Sequence, residues 1–231
     1  MTTDSPPHAG AERPSLRERK KARTRRALVD AALDLFTRRG FDGATLDELC
    51  DAVDVSKRTF FRYFSSKEDV AMAPTQDLWA AFLDDLETRE PGGRPLLEML
   101  QEALSAALAS MPDDGWPEQV RLGRRLAADT PSMGAHGLAF CDRTSRTALA
   151  TLHRRFVFED PGDPRPRLAL DVLVAAFHCA LESWTAATGA PSRTALAARL
   201  REAFAAVPGS LTLTAAPRTS PAPAPAPDAR A

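Results

Sequence analysis

The stretch "TLDELCDAVDVSKRTFFRYFSSKED", Thr45–Asp69, decides the fold. It sets Phe60, Phe61, Tyr63 and Phe64 beside Lys57, Arg58 and Arg62 in one short run. The aromatics are too many for a surface and the cations too polar for a core, so a single short helix must serve both. Thr45 followed three residues on by Glu48 spells a capping box, and the helix it opens carries Leu46, Leu49, Cys50 and Val53 inward. The pattern breaks at Asp54–Val55. Ser56 then caps a second helix running to about Tyr63, and "SSKED" starts a third at Ser66, reaching about Arg89. At helical spacing Val55, Phe60 and Phe64 share one face, turned toward Leu46, Leu49, Val53 and Phe36. Lys57, Arg58, Thr59, Arg62 and Tyr63 project from the other.

Two short helices on a tight turn, the second rich in basic residues, form a helix-turn-helix pattern. A recognition helix presents its N-terminal residues to base edges in the major groove. An arginine there bonds a guanine edge in bidentate fashion, for ~1–3 kcal/mol of discrimination. Tyr63 and Lys67 suit phosphates, which position a protein without reporting sequence.

Upstream, Leu28, Ala31, Ala32, Leu35 and Phe36 make an apolar stripe that predicts a helix over Leu16–Arg39. Gly40 is placed for a left-handed C-cap, with Phe41 packing back. Downstream, three- and four-residue apolar spacing predicts helices at about Pro95–Ser110, Trp116–Asp129, Pro131–Phe156, Pro166–Thr188 and Pro191–Val207. Prolines at their starts suit first-turn positions. β-branched alternation is absent, so the fold class is all-α. The expected organisation is a disordered N-terminus (1–14), a three-helix DNA-binding domain (15–69), a larger helical domain (70–207) and a disordered Pro/Ala-rich tail (208–231).

Charge follows the same division. The 231 residues carry a net −1, but residues 1–67 hold 14 of the 30 Lys+Arg and 10 of the 31 Asp+Glu, a local net of +4, against −5 in the remainder. All lysines (Lys20, Lys21, Lys57, Lys67) lie in the first part, and "RERKKARTRR", Arg17–Arg26, is the densest cluster. Such asymmetry marks an interaction surface.

Other classes find little support. Cys50, Cys141 and Cys179 have no metal spacing and read as reduced thiols in a cytoplasmic protein. The N-terminus lacks the apolar segment of a signal peptide. The most apolar run, Leu168–Trp184, is interrupted by Asp171, His178 and Glu182, so no membrane partner is expected. His8, His136, His153 and His178 are dispersed and no phosphate loop or metal motif occurs, so the chain reads as no enzyme and needs no cofactor. His178 and Cys179, mid-helix, read as a core histidine and an inert thiol.

"TRRALVDAALDLFTRRGFDGAT" followed by "TLDELCDAVDVSKRTFFRYFSSKEDV", about Thr24–Val70, resembles the TetR/AcrR family of transcriptional regulators. The resemblance implies a homodimer that represses transcription from a double-stranded, palindromic DNA operator and is released by a small-molecule effector. By position it implies DNA contacts at Thr45, Ser56, Lys57, Arg58, Thr59, Phe61, Tyr63 and Lys67. The basic arm before Leu28, including Arg25, joins them. The chain departs from the family in having Asp54 where glycine is usual in the turn, Phe61 where tyrosine is common and Arg58 where glycine is frequent. Asp tolerates left-handed backbone better than most residues, so the turn is expected to survive.

In the resembled family the last two helices commonly pair across the dimer, which makes Leu173, Leu181, Leu196, Leu200 and Phe204 interface or core. A pocket for an apolar ligand would be lined by Leu104, Leu122, Leu126, Met133, Leu138, Phe140, Phe177 and Trp184. "ALESWTAATG" with "RTFFRYF" is similar to a subgroup that binds acyl-CoA-like ligands. Arg121, Arg124 and Arg125 read as a solvated helix face, or as a patch for an anionic ligand head. The expected switch is a ligand-driven shift of the Ser66–Arg89 helix. The alternative is a helical dimer acting through protein contacts without sequence-specific DNA binding.

Overall fold

The structure, a computed structural model, describes residues 15–160 and 162–215. Among these it is helical, with no strand. The expectations for residues 1–14 and for the end of the tail fall outside the described residues. In order, the helices are α1 (Leu16–Arg39), α2 (Leu46–Ala52), α3 (Lys57–Phe60), α4 (Lys67–Thr88), α5 (Leu96–Ser110), α6 (Trp116–Asp129), α7 (Pro131–Arg155), α8 (Arg165–Ala186) and α9 (Arg193–Ser210).

Local chemistry fixes the ends of the first four. Ser15 and Glu18 form a capping box on α1, and Thr45 and Glu48 form the anticipated one on α2. The Ser56 hydroxyl accepts from the Thr59 N–H to start α3, and that of Ser66 accepts from Asp69 to start α4. Gly40 ends α1 at φ +76° and ψ 155°, an extended backbone open to glycine rather than the left-handed helical cap expected. Phe41 folds back onto Phe36, ring centroids 5.0 Å apart. α3 stops at Phe60, earlier than its apolar face suggests. The chain continues to Tyr63 through tighter turns, with Tyr63 N–H donating to Phe60 O at 2.8 Å. α9 instead overruns its expected end at Val207 and carries Pro208 within its last turn.

Two hydrophobic clusters divide the molecule. The first gathers α1, α2, Phe60, Phe64 and the opening turns of α4 (Val70, Ala71, Ala73), with Met133 of α7 reaching in. The second joins α4 from Leu78 onward to α5–α9. Packing changes hands at Pro74, a buried proline inside α4 that leaves the Val70 carbonyl without a helical donor. The Trp116 indole N–H, from α6, donates to Pro74 O at 2.9 Å. α6 also crosses α4 closely at Gly123, where a Cβ would lie 2.7 Å from the Ala71 carbonyl oxygen. At the far end of α4, Arg155 Nη1 donates to the Leu86 and Arg89 carbonyls, satisfying helix-terminal acceptors.

α8 is the one described helix long and apolar enough to cross a membrane. Its apolar side, Leu170, Leu173, Phe177, Leu181 and Trp184, is buried in the second cluster, which is where such a helix of a packed domain belongs.

Candidate nucleic-acid interface and internal cavity

α2 and α3 stand on the first cluster through Leu49, Cys50, Phe60 and Phe64, leaving the opposite sides in solvent. Thr45, Ser56, Lys57, Arg58, Phe61 and Arg62 are exposed, and Thr59 and Tyr63 are half-buried. Phe61 is 56% exposed and stands edge-on to Phe60 at 5.4 Å. A single exposed apolar residue is ordinary by itself; Phe61 counts here because it stands one turn from Lys57 and Arg58, both exposed. Arg62 lies over the Tyr63 ring at 5.4 Å. Lys57 Nζ pairs with Asp47 of α2 at 2.8 Å, which ties the two helices and raises the ammonium pKa. The turn between them depends on Asp54, the non-glycine residue with positive φ, +53°, among those described. The substitution of aspartate for the usual glycine therefore keeps the left-handed geometry.

The basic arm is helical. Arg17, Arg19, Lys20, Lys21, Arg23 and Arg26 are exposed along the first turns of α1. Two residues expected to contact DNA turn inward instead. Arg25 turns back toward α4 and makes a bidentate pair with Asp77, both bonds 2.7 Å, beneath the Phe64 ring at 5.2 Å. A carboxylate on the neighbouring helix, offering fork-on-fork geometry, captures it. Lys67 also turns inward. Its ammonium donates to the Phe41 and Ala44 carbonyls at 2.8 Å each and lies over Phe41 at 4.7 Å, clamping the α1–α2 loop.

A cavity of about 210 Å³ opens between α4, α6, α7 and α8. Of the residues expected to line it, Met133, Leu138, Phe140 and Phe177 do so. Leu104 and Trp184 are instead buried in the second cluster, the Trp184 indole donating to Ser192 O at 3.1 Å. Leu122 and Leu126 pack on the first cluster. The wall also contains residues with no such expectation, Trp79 and Phe82 of α4, Gln119 of α6, Thr144 and Ser145 of α7 and His178 of α8, and, of the three arginines read as a solvated face or an anionic-head patch, Arg124 of α6. Trp79 meets Phe82 and Phe177 edge-on at 5.4 and 5.1 Å. Trp79 and Phe82 stand at helical spacing in the sequence, on the helix that the expected switch moves, but neither is among the residues expected to line the pocket. His178 is not a core residue: it lies at the cavity rim, and burial, reinforced by the Arg124 charge, holds its pKa below the usual 6.5 against the opposing pull of Glu182. Gln119 belongs to both regions, since its side chain donates to Asp30 of α1 at 2.6 Å.

Of the residues expected to be interface or core, all fall in or against the core of the single chain. Leu173, Leu181, Leu196 and Leu200 are buried within the chain's own second cluster, and Phe204 packs half-buried against it. The outward faces of α8 and α9 present Leu168, Ala175, Cys179, Ala195, Ala205 and Ala206 instead.

Residues 28–73, from the apolar stripe of α1 to the end of the first cluster, match the sequence profile of bacterial regulatory proteins of the tetR family. The HTH-type transcriptional regulator TcmR of Streptomyces glaucescens is 33% identical over 177 residues, covering 74% of this chain and 77% of TcmR. The chain belongs to the TetR family. It is accordingly a DNA-binding transcriptional regulator. The negative regulator of the icaADBC biofilm operon in Staphylococcus epidermidis, IcaR, is 29% identical over 59 residues, 26% of this chain and 32% of IcaR. Among solved structures, a TetR-family regulator from Syntrophomonas wolfei superposes with a TM-score of 0.52 at 16% identity, over 84% of this chain and all of that one. That likeness is one of fold.

Proposed function

We propose that this TetR-family chain is a homodimeric repressor that reads a palindromic operator with α3 and is released when a small apolar molecule fills the α4–α8 cavity. The observation that carries the reading is the surface left bare on the helix-turn-helix. Ser56, Lys57, Arg58 and Phe61 face solvent on a scaffold whose other side is fully buried. In the family arrangement Arg58 addresses a base edge, while Thr45 and Tyr63 meet phosphates and Thr59 and Phe61 meet sugars or a thymine methyl. The exposed cations of α1 extend the phosphate contacts. Arg25 supports the domain rather than the DNA, and Lys67 holds the loop before α2.

The cavity and the reader are joined by short routes. α4 contributes Trp79 and Phe82 to the wall, and Asp77, two residues before Trp79 on the same helix, holds Arg25 of α1. Gln119 is in the wall and is hydrogen-bonded to Asp30 of α1. A ligand that moves α4 or α6 therefore moves α1 and the reader with it. Dimeric readers need half-sites a whole turn apart, so a small change in the separation of two α3 helices weakens operator binding. The ligand acts to the extent that it binds the released state more tightly.

The test is binding of the purified protein to DNA upstream of its own gene across a salt series, with random DNA as control. A specific reader binds the first tightly, ~10³-fold or more above random, with affinity falling steeply as salt rises. Equal, weak binding to both at every salt concentration would instead favour a dimer acting through protein contacts.

A further inference from the structure

The composition of the cavity wall narrows what it accepts. The body is apolar and aromatic, with Trp79, Phe82, Phe140 and Phe177 around it. Among the described residues lining it, Arg124 is the one with a permanent formal charge. Its partner is poor: Glu182 Oε1 lies 3.8 Å away, with the Glu182 side chain 75% exposed and that of Arg124 41% exposed. Arg25 and Arg89, by comparison, are each held in two-point pairs by a carboxylate. A guanidinium with a distant, solvated counter-charge at the mouth of an apolar cavity keeps its planar donor fork available to a carboxylate. His178, exposed on the same rim, has its pKa lowered by desolvation first and then by that cation, whose effect exceeds the opposing one of Glu182. A cationic ligand would meet the Arg124 guanidinium as repulsion.

Size sets a second limit. An apolar cavity of ~150 Å³ accommodates a single benzene ring. At about 210 Å³ this cavity encloses a body of roughly eight carbons on that scale, with the remainder of a bicyclic or medium-chain ligand and its polar end left at the rim.

We propose that the cavity takes an apolar monoanion, a bicyclic aromatic or medium-chain aliphatic carboxylate, with its body against Trp79, Phe82 and Phe177 and its carboxylate on Arg124. This assignment rests on the reading of the cavity as the effector site, and the two are separable by experiment. 2-Naphthoate and decanoate are titrated into the full-length protein beside their neutral counterparts, 2-naphthamide and decanamide. Binding is followed by calorimetry and by quenching of tryptophan fluorescence, since Trp79 is in the wall; release from upstream DNA is measured in parallel. At least one carboxylate is expected to bind tenfold or more tightly than its amide. Arg124→Gln abolishes that preference, Arg124→Lys retains part of it, and Arg125→Gln, one residue along on an exposed position, leaves it unchanged. The better of naphthoate and decanoate tells which body the wall prefers. Amides that bind as well as the acids, or an undiminished preference in Arg124→Gln, would overturn the anion assignment while leaving the effector site standing if DNA is still released. Carboxylates that bind through Arg124 without loosening DNA would keep the assignment and overturn the effector reading. No binding of any of the four would overturn the assignment.

Discussion

At the scale of single residues, two positions show what type alone conveys. Asp54 holds φ +53° in the turn between α2 and α3. Left-handed backbone costs L-residues other than glycine ~1–2 kcal/mol, and aspartate somewhat less. Asp54→Gly is therefore expected to stabilise the protein by about 0.5–1 kcal/mol, and Asp54→Val to destabilise it by more. Thermal melts check both, because each kcal/mol moves Tm by roughly 2–4 °C in a chain of this size. Arg25 could be assigned to the basic arm from its neighbours, yet Asp77, fifty-two positions away, claims it. Nothing in a run of arginines says which one has a carboxylate across a helix interface. Arg23, exposed two residues earlier, supplies the contrast: Arg23→Ala should lower the slope of operator affinity against salt by about 1, whereas Arg25→Ala should leave the slope and lower Tm. His178 gives a pH dependence. Its folded pKa is depressed below 6.5 by burial and then by Arg124, so below 6.5 the unfolded chain takes up the proton first. Stability is fully present above that pH and declines as pH falls toward the folded pKa. His178→Gln should flatten this part of the profile in melts taken from pH 7.5 downward, and an unchanged profile would remove His178 as its source.

At the scale of elements, α4 carries the argument. Its start and end were readable, because Ser66 caps it and "EPGGRP" ends it. α1 and α2 were equally legible from Gly40 and the Thr45–Glu48 box, and so was the buried side of α3. These signals are local, set by hydrogen bonds between residues three or four apart. The faces of α4–α9 were harder. Periodicity shows that Leu104, Leu122, Trp184 and Leu196 lie on apolar faces. It does not show whether the facing surface is a cavity, the other cluster, the core or a second subunit. Leu173 belongs to the core and to the cavity wall at once. Gly123 makes the same point from the opposite direction, since its requirement for a missing side chain exists only because Ala71 O is beneath it. Gly123→Ala should drive α6 off α4 at a cost of about 1–3 kcal/mol, despite the better helix propensity of alanine. Gly134→Ala, on α7 with open space at that point, should be neutral or stabilising. A Tm for Gly123→Ala equal to wild type would mean that the α4–α6 approach is not fixed.

At the scale of the whole molecule, the arrangement of charge and small residues points to how two chains would meet. The second cluster uses the large apolar residues of α8 and α9, so any dimer built on these helices must use their outer faces. Those faces are lined by Ala175, Ala195, Ala205 and Ala206 together with Leu168 and Cys179. Small side chains allow close approach of helix surfaces, and Asp171, Arg199 and Glu202, exposed one turn away on the same faces, are each paired within their own helix. In a two-fold interface the same patch occurs on both partners, so a residue near the axis faces its own copy or a neighbour of it. A charge introduced there is buried beside a like charge, which neither salt nor side-chain rotation relieves. Ala175→Glu, already exposed in the single chain, should leave the helical content and cores intact while converting the dimer to monomer. Light scattering after size exclusion reads the mass, and circular dichroism reads the fold. A monomer engages one half-site at a time and forfeits the gain from linkage, so operator affinity should fall by at least tenfold. The phosphate-driven affinity for random DNA, which depends on α1 and α3 within one chain, should change far less. A variant that remains dimeric with operator affinity unaltered would place the interface elsewhere, and the outer faces of α8 and α9 would then need a different partner.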